Sequence, residues 1–184
     1  MMIENFQFET ELSNRFIPNI TPNIGDSLFE YIDDDLYKEY VNKATKGLFW
    51  VTSGRSVNLY EAGVSIFGLP TPDMQRVVVI YPMEHKQYRA PGNAIIYNAD
   101  GSVHKELTAP EPISDLAKTR SRFMMKSKAF NPPHRLYFDS VCWLEVEGKV
   151  VTIVRIGFDR DWREERILNP ETGEFGECVS SGMR

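Results

Sequence analysis

The stretch from Arg135 to Phe158, RLYFDSVCWLEVEGKVVTIVRIGF, constrains this chain more than any other. It reads as two long strands joined by a tight turn at Glu147-Gly148. In the first strand Leu136, Phe138, Cys142, Leu144 and Val146 point one way, and Tyr137, Asp139, Trp143, Glu145 and Glu147 the other, because side chains on a strand alternate with a period of two. The return strand carries Val150, Val154, Ile156 and Phe158 on one face and Val151 and Ile153 on the other, so it is expected to be covered on both faces. Two registers are open: a two-residue loop sets Trp143 opposite Thr152, and a three-residue loop sets it opposite Ile153. Tyr137 and Trp143 share the more polar face. Either a helix packs on that face, or it is a partner-binding surface with an aromatic anchor.

The remaining sequence is expected to cover this hairpin, and 184 residues suffice for one globular domain. Residues 1–25 read as an irregular arm in which Ile3, Phe6 and Phe8 form a short edge strand or pack as an arm. A long helix is expected from Asp26 or Ser27 to about Lys46. Leu28, Ile32, Leu36 and Tyr40 recur every four residues, and Gly47 follows as a terminator. Leu48–Thr52 and Val77–Tyr81 read as strands, the second apolar on both faces. The region Gly68–Asp73, with Pro70 and Pro72, reads as a loop. The segment from Asn93 to Leu107 reads as a hairpin turning at Asn98-Ala99-Asp100-Gly101, which brings Tyr97 opposite Val103. Ser114 is positioned to cap a shorter helix, Asp115 to about Lys126. Trp162–Leu168 and Glu174–Val179 form a last strand pair around Asn169-Pro170-Glu171-Thr172-Gly173, and residues 180–184 read as a mobile tail. The expected fold class is α+β: one mainly antiparallel, twisted sheet with the long N-terminal helix on a face and a second, short helix.

Few motifs that carry chemistry are present. Neither a Gly-x-x-x-x-Gly-Lys-Ser/Thr loop nor a Gly-x-Gly-x-x-Gly turn is present, so the two common nucleotide cradles are missing. Gly63-Val64-Ser65-Ile66-Phe67-Gly68 misses the nucleophile elbow by one residue. His85, His104 and His134 share no zinc-ligand spacing with each other or with Cys142 and Cys178, so no metal site or cofactor is expected. Two cysteines are too few for a disulfide framework, and Cys142 reads as a buried thiol. With no apolar run long enough to span a bilayer and no basic, apolar leader at the N-terminus, the reading is cytoplasmic with no membrane partner.

Charge is unevenly spread. The net charge is −5, yet residues 1–40 hold nine acids against Arg15 and Lys38 and sum to −7, leaving +2 on the rest. Glu30, Asp33, Asp34, Asp35 and Glu39 lie within the expected long helix. They form either a solvated face or an acidic patch that docks a basic partner. Lys118, Arg120, Arg122, Lys126, Lys128 and Arg135 form a basic stretch interleaved with Phe123 and Phe130. It is suited either to an anion or RNA, or to complementing the acidic helix within the same molecule. The overall acidity argues against a general nucleic-acid binder.

A small acidic α+β chain with no catalytic signature and with the hairpin Ile95-Ile96-Tyr97-Asn98-Ala99-Asp100-Gly101-Ser102 resembles, in general type, the immunity proteins of bacterial toxin–immunity systems, including those of contact-dependent inhibition. The resemblance implies a stoichiometric, non-catalytic inhibitor that binds a toxin domain and blocks its active site. The acidic helix and the Tyr137–Trp143 face are its candidate contacts. A small enzyme is the alternative, with a pocket at one end of the sheet that uses His85 or His134 with a carboxylate from Asp139, Glu145, Asp159 or Asp161. An RNA- or phosphate-binding protein using residues 118–135 is the third reading.

Overall fold

The computed structural model describes residues 1–10, 15–16, 35, 38, 41–119, 136–158 and 162–183. The fold class differs from the α+β expectation. Of the described residues 54% are strand and 7% helical, and they form three antiparallel sheets and one short helix. No long N-terminal helix is present among the described residues. Asp35, Lys38, Val41 and Asn42 are helical, and the rest of the span expected for that helix lies outside the described residues. The helix ends before Gly47, which lies inside a strand instead. The physical reason lies in Leu48-Phe49-Trp50-Val51. This apolar run is buried on both faces of a sheet, and sheet-on-sheet packing supplies the cover that a long helix was expected to give.

The first sheet has the order β2 (Arg15–Phe16), β1 (Glu4–Thr10), β3 (Lys46–Thr52), β4 (Arg55–Leu59). The N-terminal arm thus supplies an inner strand. Phe6 and Phe8 are buried, and Phe6 stacks on Trp50 with centroids 6.3 Å apart. The second sheet is a simple meander of β5 (Phe67–Pro70), β6 (Arg76–Ile80), β7 (Ala94–Asn98) and β8 (Val103–Leu107). Pro70, expected in a loop, closes β5 at the sheet's edge, where a missing N–H costs no ladder bond. Tyr97 does pair with Val103, across the turn that Gly101 completes at positive φ. The third sheet is a meander of β9 (Tyr137–Val146), β10 (Lys149–Gly157), β11 (Trp162–Leu168) and β12 (Phe175–Met183). The final residues up to Met183 therefore belong to a strand.

In the β9–β10 hairpin, Trp143 pairs with Thr152. Glu147 and Gly148 both have positive φ, which is the two-residue turn whose twist matches that of the strands. Asp139 is an extra residue in β9: Ser140 pairs with Arg155, and Phe138 with Ile156. Such a bulge shifts the alternation by one. Phe138 therefore faces the core together with Val141 and Trp143, and Cys142 and Leu144, expected on that side, are half-buried on the opposite one. The centre of β10 is covered on both faces, since Ile153 and Val154 are each fully buried.

One core unites the three sheets. Phe8, Leu48 and Trp50 from the first, Val77, Ile95 and Ile96 from the second, and Phe138, Val154 and Leu168 from the third share it. Polar groups stitch the layers together. The Trp50 indole N–H donates to the Ala99 carbonyl at 2.6 Å, and that of Trp143 to the Pro70 carbonyl at 2.8 Å. Lys46 of the first sheet also makes a parallel bridge with Ser65, just ahead of β5. At the far end, the 169–173 turn of the third sheet leans on β8. There His104 contacts the Glu171 carbonyl at 2.8 Å, and Lys105 donates to the Thr172 carbonyl at 2.6 Å.

Candidate functional site

Residue Tyr81 leaves β6 and enters a loop that turns back on itself. The His85 N–H donates to the Pro82 carbonyl at 2.9 Å, and the Ala90 N–H to the Met83 carbonyl at 2.9 Å. This fold-back buries the His85 ring against Tyr81, 4.7 Å away, and Tyr88, 5.8 Å away and nearly parallel. A second loop, between β4 and β5, comes alongside. It turns at Ala62-Gly63, where Gly63 has positive φ and the Val64 N–H donates to the Glu61 carbonyl. The two loops set His85 Nε2 3.0 Å from Glu61 Oε2.

Two adjoining clefts open here, with Pro82 in the wall of both. One, of about 360 Å³, is lined by Glu61, Ala62, Gly63, Val64, Pro82, Glu84, His85 and Lys86. The other, of about 300 Å³, is bounded chiefly by Ser65, Phe67, Tyr81, Met83, Tyr137 and Asp139. Thr45, just past the described helical residues, accepts the Gly63 N–H on Oγ1 at 2.9 Å, and Lys46 Nζ donates to the carbonyls of Val41 and Lys43. A cation on those last carbonyls complements a helix C-terminus.

The hydrogen bonds of His85 decide what this site can do. Nδ1 accepts the Tyr88 N–H at 3.0 Å, so the ring proton resides on Nε2 and is donated to Glu61. Neither nitrogen is left to take a proton from a substrate. His85 thus meets the geometric half of the requirement for a His–carboxylate pair and lacks the free lone pair that general base catalysis needs. What the pair provides is an oriented carboxylate: the Glu61 side chain is about half exposed while that of His85 is buried.

Three tyrosines back the site. The hydroxyls of Tyr81 and Tyr97 lie 2.8 Å apart, and Tyr88 packs against Tyr81 at 4.8 Å. Burial raises the pKa of both Tyr81 and Tyr97, and for Tyr97 the bond with Tyr81 raises it further. The neutral phenol is therefore the form that the fold favours. This contribution to stability is complete below the unfolded tyrosine pKa of about 10 and is lost as pH rises above it. In a spectrophotometric titration, Tyr81 and Tyr97 are expected to stay protonated until the chain unfolds in alkali. All eight tyrosines ionising near pH 10 with the fold intact would contradict this.

The other candidates from the sequence are dispersed. Tyr137 and Trp143 are buried, at 8% and 9% exposure, and present no aromatic face to solvent. Trp143 is spent on the Pro70 contact, and a methyl group at Gly157 would overlap the Tyr137 ring. Tyr137 does border the smaller cleft. Asp35 is exposed and pairs with Lys38 at 3.4 Å, whereas Glu30, Asp33, Asp34 and Glu39 lie outside the described residues. In the basic stretch Lys118 is exposed, just past the Ser114 cap, and Arg120, Arg122, Lys126, Lys128 and Arg135 lie outside the described residues, as do His134, Asp159 and Asp161. Glu145 is exposed on β9, and Asp139 lines the smaller cleft. Glu61 went unrecognised in the sequence. It lies 24 residues from His85, and no spacing rule joins residues that meet only when two loops converge.

No group of three or more metal-ligating side chains occurs among the described residues, nor does any helix long and apolar enough to cross a membrane. No protein-family profile, curated protein or solved structure matches this chain.

Proposed function

We propose that the protein is a non-catalytic protein-binding module of the immunity type, a stoichiometric inhibitor that docks a basic element of a toxin domain at the end carrying the two clefts. The observation that carries this reading is the concave cleft beside Gly63, whose wall bears the carboxylates of Glu61 and Glu84. Concavity, negative charge and exposed Met83 beside it are what a basic partner with an apolar anchor requires. The locked state of His85 counts against the His–carboxylate enzyme reading. A cytoplasmic location belongs to the same proposal, and the two free cysteines, Cys142 and Cys178, accord with it.

The test is a pull-down from the native host with tagged protein at low salt, read by mass spectrometry. Beside it runs a variant with Asp35→Lys and Glu61→Lys. The expected result is one basic protein, or a toxin fragment, recovered at one-to-one ratio, with recovery reduced by salt and by the variant. Recovery of nucleic acid alone would refute the proposal and redirect attention to residues 118–135. Recovery of no protein would refute it outright.

A further inference from the structure

We infer that the outer edge of β4 is a contact site for a second copy of this chain, joined as an antiparallel strand pair about a twofold axis at Val57, independent of the binding role proposed above. β4 ends the first sheet, and no strand among the described residues pairs with its outer side. The two-residue turn at Ser53-Gly54, with both residues at positive φ, fixes which way the backbone groups point. Arg55, Val57 and Leu59, opposite Thr52, Trp50 and Leu48, bond inward to β3. The N–H and C=O groups of Ser56 and Asn58 therefore point outward. The other edges among the described strands are blunted. β12 shifts register twice against β11, and β9 is bulged at Asp139 and has both backbone groups of Phe138 taken by Asn93. β8 carries an extra residue, and its His104 and Lys105 hold the 169–173 turn beside it. β5 ends at Pro70, whose carbonyl receives the Trp143 indole N–H, and β2 is only two residues long. Such features keep a sheet edge from pairing with another chain. β4 has none of them: it is regular against β3 and contains neither proline nor lysine.

The strand is complementary to itself. Centred on Val57, an antiparallel pair sets Ser56 against Asn58 of the second copy, and Asn58 against its Ser56, so every outward N–H meets a carbonyl. A pair centred on Ser56 or on Asn58 would set the other of these two residues beyond the end of the opposing strand. Val57 meets its own counterpart at a non-hydrogen-bonded position, where Cα atoms lie about 4.5 Å apart and β-branched side chains pack well. Arg55, the one charge on the strand, opposes Leu59 of the second copy, so no like charges face each other. Leu59 comes two residues before Glu61, and the pair thus brings a guanidinium toward each Glu61 cleft. Two five-residue strands make a small contact, which sets a weak and reversible association.

The test is sedimentation of the full chain at concentrations up to about 1 mM, beside three variants. The mass is expected to rise from one copy toward two, and no further, as concentration increases. Ser56→Pro removes an outward N–H that β3 does not use, so it should leave the fold intact and hold the chain at one copy. Val57→Cys is expected to give a covalent dimer under mild oxidant, because its counterpart falls within the roughly 7 Å between Cα atoms that a disulfide can span. Ser56→Cys, whose counterpart is displaced by two residues, should not. The unsubstituted chain under the same oxidant measures any cross-linking through Cys142 and Cys178. A single-copy mass at every concentration, an assembly larger than two, or undiminished association of a folded Ser56→Pro variant would each overturn the inference. So would a Val57→Cys variant that cross-links no better than Ser56→Cys, and that comparison decides the matter if the proline disturbs the fold.

Discussion

Replacing Asn93 by leucine is expected to destabilise the protein by roughly 3–9 kcal/mol, at about 1–3 kcal/mol for each of the buried polar groups left unpaired. Asn93 is fully buried where the second sheet meets the third. Its Nδ2 donates to the carbonyls of Tyr81 and Phe138, at 2.9 and 2.8 Å, and its Oδ1 accepts the Phe138 N–H at 2.9 Å. One carboxamide thus satisfies both backbone groups of Phe138 at the start of β9 and a carbonyl at the end of β6. Leucine matches the volume and meets none of these needs, so the backbone of Phe138 is stranded in the core. Small domains are typically stable by only about 5–15 kcal/mol, so the loss is a large fraction. Urea unfolding checks it: the midpoint should fall sharply while the slope is unchanged. A loss below about 1 kcal/mol would mean that water replaces the carboxamide, since that is near the net worth of a single exchangeable hydrogen bond.

Removing the Glu164 carboxylate is expected to cost about 3–5 kcal/mol, the usual consequence of leaving a buried charge without its partner. Glu164 is 1% exposed. It lies 3.7 Å from the Arg166 guanidinium, which is itself buried and also donates to the Gly176 carbonyl at 2.8 Å. The same carboxylate accepts the N–H groups of Ile113 and Ser114 and the Ser114 hydroxyl, the last at 2.6 Å. It therefore anchors the start of the short helix at 115–119, where the basic stretch begins. With Glu164→Leu, the Arg166 charge loses its counter-ion and the backbone of Ile113 and Ser114 loses its acceptor. Hydrogen exchange at those two amides should accelerate. Adding Arg166→Met should restore much of the lost stability, because an apolar pair of similar volume in place of a buried ion pair is often neutral. A double variant as unstable as the single one would show that the stability resides in the Ser114 contacts and not in the ion pair.

The β-rich half of the fold was legible because its signals are local. Glu147-Gly148 and Asn98 to Gly101 specify their turns through positive φ, and turn length then sets register. Val77-Val78-Val79-Ile80 could only be a buried strand. The Asp139 bulge carried no such signal. Nothing in Phe138-Asp139-Ser140 announces an extra residue, yet it moves Trp143 and Val141 into the core and Cys142 out of it. The expected long helix failed for a related reason. An apolar repeat states which side chains seek burial, but not which layer of the molecule will bury them.

By itself the sequence determined the hairpins of β7–β8 and β9–β10, the strand at Val77–Ile80 and the absence of the common nucleotide and zinc motifs, all set by interactions among residues close along the chain. Tertiary structure alone decided that three sheets share one core, that Asn93 and Glu164 are their polar joints, and that the Nδ1 lone pair of His85 is spent on Tyr88 while Glu61 faces a cleft. These depend on hydrogen bonds between residues far apart in sequence. Such bonds have no periodicity to read, and they exist only once the hydrophobic layers have brought the loops together.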